Sequence, residues 1–312
     1  MSQSFYTIRN YQPDDFNNFF QLQVETEQID QSGWHLTPRA LKESLGRPHF
    51  TPEKDLFLAE VEEKIVGFCN ITSELRIGRV LFYFLVHPKY RKKGIATELI
   101  QKAFRRAGEC GAQVVQAEVL DANLAAKDLL SGLGFRPVRS FFEMSLILNE
   151  VPKDDVDNSL ANRVLKKGEE HQLTHIQNRL FAGTWGFNPN TTEEIAYRLN
   201  LFGCSPGDVI MIYNGDKPIG YCWTIINSEE NLTLKLKKGR IHMMGVDPDY
   251  RGKGMGKAVL SAGLTHLMNR GIELAQLTVD SANTVACTLY KSAGFEVQAT
   301  TLWYEKDMTQ DF

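Results

Sequence analysis

Shifted against itself by 160 residues, the chain repeats. "FLVHPKYRKKGIATELI" falls on "MGVDPDYRGKGMGKAVL", and "DANLAAKDLLSGLGF" falls on "SANTVACTLYKSAGF". Pro88 meets Pro248, Tyr90 meets Tyr250, Arg91 meets Arg251 and Gly94 meets Gly254. Further on, Asn123 meets Asn283, Gly134 meets Gly294 and Phe135 meets Phe295. One offset serves every pair, so duplication of a single domain is the economical explanation, and a missed repeat would distort every later assignment. A chain of 312 residues is also too long for most single cores. The expected partition is therefore 1–150 and 151–312, joined by "NEVPKDDVDNS" at 149–159, which has a linker's composition.

Both copies carry the same order of signals. An opening strand ("FYTIR"; "NRVLKK") precedes helical segments. Two strands with turn residues between them follow, "DLFLAEVEEKIVGFCNITSE" and "DVIMIYNGDKPIGYCWTII", which is a hairpin signal. A third strand runs through a glycine turn into a long helix. A fourth strand, a helix ending at Gly-Phe and a last strand complete the copy. Hairpins joined to a strand-helix-strand unit predict an α/β fold with a mixed sheet covered by helices.

Composition narrows the partners. Hydrophobic residues make up 43%, charged residues 23%, and the net charge is −3. Nothing there suggests a general affinity for nucleic acid or an anionic membrane. No apolar run approaches the ~18 residues of a membrane helix, and "MSQSFYTIRNYQPDD" lacks a signal peptide's apolar core. Cys69, Cys110, Cys204, Cys222 and Cys287 are odd in number and far apart. They read as reduced thiols of a cytoplasmic protein, with neither a disulfide frame nor a metal site.

The glycine turn carries the chemistry. A strand passing through a tight turn into a helix leaves backbone N–H groups unpaired, and with the helix dipole they form a site for phosphate. Gly252, Gly254 and Gly256 let the backbone take positive φ and approach a ligand. Arg251 and Lys253 add charge suited to a pyrophosphate. A plain turn with a solvated basic rim would read the same way. The spacing is neither that of a triphosphate loop nor that of a dinucleotide fingerprint.

Taken together, strand, "R-x-K-G-x-G/A", helix, strand, "x-A-N", helix and "G-F" resemble the GCN5-related N-acetyltransferase (GNAT) superfamily over both halves. The resemblance implies two tandem GNAT domains and acetyl-CoA as co-substrate. It assigns the pyrophosphate to Arg251, Gly252, Lys253, Gly254, Met255 and Gly256, and in the first copy to Arg91, Lys92, Lys93, Gly94, Ile95 and Ala96. The pantetheine arm would lie beside Gly245 and Val246, with Leu85 and Val86 in the first copy, and near Asn283 or Asn123. An asparagine at a strand end is otherwise a turn-former. Tyr290, about two helical turns after Asn283, is implied as the acid that protonates the leaving thiolate. A phenol, with a pKa of ~10, holds its proton where a thiol, ~8.5, is losing one.

Three further readings follow. Position 130, the partner of Tyr290, is Leu130, so the acid step is expected only in the second copy. For the base, His242 is the local candidate, since strand alternation puts Arg240, His242 and Met244 on one face; a half-buried strand histidine is the plainer reading. Glu118 is a weaker candidate because its partner is Thr278. A main-chain N–H near Val246 would face the oxyanion.

Within the superfamily the second half looks most like the mycothiol synthase family, on "IGYCWTII", "GVDPDYRGKGMGKAVLSAGLTHLMNRGI" and "LTVDSANTVACTLYKSAGF". Arg240 stands where that family places a glutamate, which points to a relative with another small amine as acceptor. "FAGTWGFNPNTTEE", with Trp185, Phe187, Thr191 and Thr192, and "WHLTPRALKE" read either as acceptor-pocket walls or as hydrophobic clasps before capped helices. "KLKKGR" reads as a solvated strand edge. A coenzyme-binding sensor without turnover, and a protein acetyltransferase, are the competing functions. Pairing of the two copies makes a monomer the expected state.

Overall fold

The computed structural model describes residues 5–30, 36–148 and 161–309. The linker expected at 149–159, and Trp34 and His35, lie outside the described residues. The first copy runs β1 (Thr7–Asn10), α1 (Phe16–Asp30), α2 (Pro38–Leu45), α3 (Pro52–Asp55), β2 (Leu56–Val61), β3 (Lys64–Glu74), β4 (Arg79–Val86), α4 (Ile95–Glu109), β5 (Val114–Leu120), α5 (Leu124–Gly132) and β6 (Arg136–Ile147). The second runs β7 (Ala161–Val164), α6 (Glu170–Phe181), α7 (Thr192–Leu199), β8 (Val209–Asn214), β9 (Lys217–Ile225), α8 (Ser228–Leu234), β10 (Lys238–Val246), α9 (Met255–Asn269), β11 (Leu274–Asp280), α10 (Thr284–Ser292) and β12 (Glu296–Asp307).

From α4 and α9 onward every element keeps the 160-residue offset at both ends. The front hairpins start 153 residues apart (209 − 56), and the difference of seven matches α8, a seven-residue helix that the first copy lacks. Its place is taken there by one 3₁₀ turn, Leu75–Ile77. The hairpin turns fall where the sequence puts them. Glu62 and Glu63 both adopt left-handed φ (48° and 63°), the geometry of a two-residue turn matched to strand twist.

The chain divides into two compact units, residues 1–139 with 301–312, and 140–300. In the first, β1-β2-β3-β4-β5 continues into the end of β12, which pairs antiparallel with β5 from Thr301↔Leu120 to Asp307↔Val114. In the second, β7-β8-β9-β10-β11 continues into the end of β6, from Leu274↔Ile147 to Asp280↔Phe141. The spatial units therefore depart from a cut at 150: each is completed by the last strand of the other copy. The duplication makes this possible, because equivalent strands present equivalent patterns to equivalent edges. Phe135 and Phe295, just before the exchanged strands, stay in the cores of their own copies.

Two features position the site. Among the described residues only one strand pair in each unit is parallel, and it is short. Pairing of β4 with β5 covers Arg79 to Phe82, and that of β10 with β11 covers Lys238 to Ile241, although all four strands run on. Beyond those residues the pairs part. The glycine opposite each parting strand is forced: a Cβ on Gly67 would lie 3.1 Å from the Leu85 carbonyl oxygen, and one on Gly220 would lie 2.9 Å from that of Gly245.

The helix behind the parting strands packs close. In β11, Ala275, Leu277 and Val279 are buried beneath α9 and α10, while Gln276, Thr278 and Asp280 face the other way. A Cβ on Gly263 of α9 would fall 2.3 Å from Cys222 Sγ on β9. Gly263→Ala is thus expected to lower the unfolding free energy by about 1–3 kcal/mol through overpacking. Urea denaturation with an unchanged midpoint would show that α9 does not sit this close.

Candidate active site

Gly252 and Gly254 take φ of 75° and 77°, and Gly254 is the N-cap of α9. Alternation of left-handed and ordinary residues turns successive N–H groups toward one side, a concavity for an anion. A Cβ on either glycine would meet nothing within 4 Å, so the surface over the turn is open. At Gly256 a Cβ would come 3.3 Å from Leu289. Met255 is half-buried against the core of its copy.

The arginine of the turn has a different job from the one its charge suggests. Arg251 Nε donates to the Val246 carbonyl (3.0 Å), and its terminal nitrogen donates to Leu180 O at the end of α6 (2.8 Å). Arg179, also on α6, grips both oxygens of buried Asp247 (2.8 and 3.1 Å) and reaches Asp249 (2.9 Å). The Arg179 guanidinium holds the Asp247 carboxyl down to about 2. These arginines fasten the end of β10 and the turn to α6. Lys253 donates to Asp249 O (3.3 Å) and lies over the Tyr250 ring.

The first copy builds the same turn and covers it. Gly94 has φ of 85°, but Lys92 must take a left-handed φ of 60° where the second copy has glycine. The Tyr6 hydroxyl lies 3.5 Å from where a Gly94 Cβ would be, and it donates to Glu98 (2.9 Å) in the first turn of α4. A carboxylate at a helix start competes with a phosphate there, and the second copy has Ala258 at that place. Lys93 sits over Phe5 and Tyr90, while Arg91, donating to Val86 O (2.9 Å), is also paired with Asp30. Leu85 packs against the cluster of α1 and α2 residues, and Val86, Ile95 and Ala96 belong to the core under α4. Leu130 is fully buried there.

Tyr290 packs edge-on against Phe295 (5.9 Å) in the core under α9 and α10, together with Val246. Burial raises its pKa, and the neighbouring Cys222 thiol, cross-strand from Met244, adds to the rise. Its hydroxyl has no hydrogen-bond partner among the described residues. The phenol is therefore a protonated donor with its hydrogen uncommitted. Asn283 and Asn123 are both helix N-caps, each accepting from the third N–H beyond (3.1 Å). Their carbonyl oxygens are thereby used, while the Asn283 amide N–H₂ is unengaged among the described residues.

His242 occupies a β-bulge. Pairing with β9 jumps between Ile241 and Met243, so His242 is the extra residue. Its ring meets buried Trp223 edge-on (5.0 Å), and Met243 packs into the same cluster under α6 and α7. Ile241 and Met244 point to the opposite core. Strand alternation had Arg240, His242 and Met244 sharing a face; the bulge turns Met244 away and replaces it with Met243. His242 reaches solvent but is walled by protein. Desolvation, then the charges of Arg198 and Arg240, push its pKa down to about 4.

Gly245 lies where α6 presses closest, a Cβ there meeting Leu180 at 3.0 Å. Trp185 meets Phe141 (6.0 Å), Phe187 stacks on Phe181 (5.5 Å), and Thr191 and Glu194 form a capping box starting α7 at Thr192. These contacts make 181–194 a clasp. The carboxylate that sequence reasoning overlooked is Glu143, on β6, whose Cα partner is Thr278. It was hidden because its neighbour comes from the exchanged strand, and its own repeat partner is Trp303.

A parted parallel pair feeding a glycine turn and helix, present twice, defines the fold class expected from the repeat. The family model described as the acetyltransferase (GNAT) family matches residues 10–135 and 171–295, and the chain belongs to that family. It is an acetyl-CoA-dependent acetyltransferase. A mycothiol acetyltransferase of Propionibacterium freudenreichii subsp. shermanii is 25% identical over 286 residues, 88% of this chain and 82% of that protein. Among solved structures, a GCN5-related N-acetyltransferase from Sphaerobacter thermophilus superposes with a TM-score of 0.76 at 20% identity, covering 99% of this chain and 97% of that one. A tandem GNAT protein from the clavulanic acid biosynthesis pathway gives 0.71 at 15% identity, over 98% and 100%. Both structural likenesses speak for the fold. Among the described residues no helix is long and apolar enough to cross a membrane, and no cluster of side chains could hold a metal ion.

The Arg179 pair yields a pH prediction. The folded pKa of Asp247 lies below its ordinary value of 3.8, so the pair stabilises the fold above about pH 4, and that contribution fades as pH falls toward 2. Asp247→Asn is expected to lose about 1–2 kcal/mol at pH 7, tempered because Arg179 reaches solvent. The gap from wild type should close on acidification. A gap independent of pH in chemical denaturation would refute the ionic origin.

Proposed function

We propose that the protein acetylates the primary amine of a small molecule, with coenzyme binding and chemistry in the second copy. The observation carrying this reading is the contrast between the two turns. The one at 251–256 is open and lies in the copy that has Tyr290. The one at 91–96 is covered by Tyr6 and Glu98 in the copy that has Leu130. The mycothiol acetyltransferases among its relatives support an amine on a small molecule as acceptor. The first copy is then a folding partner that lends β6 to unit 2, and a coenzyme site at its own turn would require displacement of Tyr6.

Acetyl-CoA supplies the thioester. Free N–H groups from Gly252 to Gly256 hold the pyrophosphate, and Lys253 shields its charge. The arm lies along the edge that β10 leaves free after Ile241, beside Gly245 and Val246, with the Asn283 amide within its path. The acceptor nitrogen attacks the carbonyl carbon, an N–C bond forms and the C–S bond breaks. A main-chain N–H near Val246 faces the developing oxyanion. The departing sulfur takes the Tyr290 proton. Burial penalises the phenolate left behind as well as the thiolate, so the proton moves as the C–S bond breaks, and the proton taken from the amine restores the phenol at the end of the cycle. His242 is neutral at working pH, the form that can accept the amine's proton, but its lowered pKa leaves it a weak base.

Two measurements test this. Calorimetry should find one acetyl-CoA per chain, with Gly254→Val weakening binding at least tenfold and Gly94→Val leaving it unchanged. Tyr290→Phe should lower kcat by roughly 10²-fold or more, the scale of an acid catalyst, with coenzyme affinity kept. Two equivalents bound per chain, or full turnover by the phenylalanine variant, would sink the assignment.

A further inference from the structure

The arginines of this protein are mostly matched to carboxylates. Arg9 pairs with Asp15 and Glu60, Arg79 with Glu74, Arg91 with Asp30 and Arg106 with Asp55. Arg163 pairs with Glu169, Arg179 with Asp247 and Arg270 with Asp208. Arg251 is spent on backbone carbonyls, and two further arginines of unit 2 also break the pattern. Arg198, half-buried in the last turn of α7, has no ion-pair or hydrogen-bond partner among the described residues. Arg240 on β10 donates to the Thr278 hydroxyl and meets no carboxylate among the described residues. Arg240 and His242 lie on β10 at the mouth where β10 and β11 part, and α7, which carries Arg198, packs Ile195 and Leu199 in one cluster with Trp223, the ring that His242 meets.

A carboxylate is near and is not used. Glu143 stands beside Thr278 in the sheet, one strand spacing (~4.8 Å) away. It too has no partner among the described residues. Arg240 and Glu143 thus flank the same threonine, carry opposite charges and leave each other unpaired. In unit 1 the corresponding face is closed by its own chain. Buried Arg79 pairs with Glu74, donates to Gln116 (3.0 Å) and lies over Trp303, and Gln116 donates to Glu305 (2.7 Å). By register Leu81 stands in the place of Arg240, Glu118 in that of Thr278 and Trp303 in that of Glu143, so the Arg240 and Glu143 charges have no counterpart in unit 1. Unspent charges of both signs beside a reaction cleft are what a ligand carrying both signs would satisfy.

We propose that the acceptor is an amine that also carries a carboxylate or phosphate, its anion held by Arg198 and Arg240 and its ammonium by Glu143, beside Thr278 and His242. The inference rests on the acetyl-transfer reading and names its acceptor class. The ammonium cannot attack the thioester, so a proton must leave before the N–C bond forms. Desolvation first, and then the two guanidinium groups, disfavour an imidazolium at His242. An anion seated between the arginines offsets their share of that penalty, so His242 is a better base with the acceptor bound. A neutral amine would leave the two arginines uncompensated and find His242 reluctant.

The test uses the full chain and matched acceptors: amines of one skeleton bearing a carboxylate, a phosphate or a neutral amide. Released coenzyme A should follow the charged members, with kcat/KM at least tenfold above the neutral one, and the preferred member separates carboxylate from phosphate. Arg198→Gln and Arg240→Gln should each raise the KM of charged acceptors about 10- to 100-fold, the worth of one charged hydrogen bond. Acetyl-CoA affinity and the neutral amine's KM should not move. Equal use of charged and neutral acceptors, or arginine variants that raise the KM of both alike, would overturn the proposal. If no amine releases coenzyme A, the acetyl-transfer reading fails. The acceptor class is then judged by calorimetric binding of the same amines in the presence of coenzyme A, where absence of a charge preference overturns it.

Discussion

Unit 2 depends on two neighbouring strands ceasing to be bonded to each other. After Ile241 and Leu277 the ladder between β10 and β11 ends while both strands continue. Exposed strand edges are ordinarily a liability that proteins cover or charge. Here the edge lies inside the fold, beside the turn that starts α9, so it can hydrogen-bond a ligand that runs along it. The parting needs support from elsewhere, and α6 supplies it. Arg179 fixes Asp247, Arg251 ties Val246 O to Leu180 O, and Leu180 presses on Gly245. The glycine turn can stay open because its strand is held from the opposite side.

The first copy solves the same mechanical problem with reversed polarity. Glu25 of α1 faces buried His87, where the second copy has Arg179 and Asp247. Burial lowers the His87 pKa despite the carboxylate, so this contact is the weaker fastening. Arg91, in the place of Arg251, keeps its bond to the strand's last carbonyl and takes Asp30 as a second partner. The brace is common to both copies because the fold needs it, whereas openness over the turn is not.

Much of this was legible in the sequence. The constant 160-residue offset predicted paired elements, and from α4 and α9 onward their ends coincide under it. The hairpins, the glycine turns and the capped helix at Thr191 fall where turn chemistry put them. Three things were not legible, each for a physical reason. The exchange of β6 and β12 leaves no trace in a pattern identical for both partners, and so Glu143 was not connected to Thr278. The bulge at His242 is set by packing of Trp223 and Met243 under α6 and α7, which alternation along one strand cannot register. The roles of Arg91 and Arg251 were read as charge for a pyrophosphate, because a bond from Nε to a backbone carbonyl has no sequence signature.

Duplication explains why one copy can close. Parted strands that stay open leave charges such as Arg240 and Glu143 without an oppositely charged partner among the described residues. A second copy released from staying open can spend its own positions on stability. Unit 1 shows this in Tyr6 bonded to Glu98 and in Leu130 filling the place of a phenol. Each is a locally favourable choice that forfeits a ligand contact. The strand exchange then makes the closed copy indispensable, since the last strand of the open unit is drawn from it. A covered turn in one copy and the dependence of the open unit on that copy's strand are thus two outcomes of one arrangement.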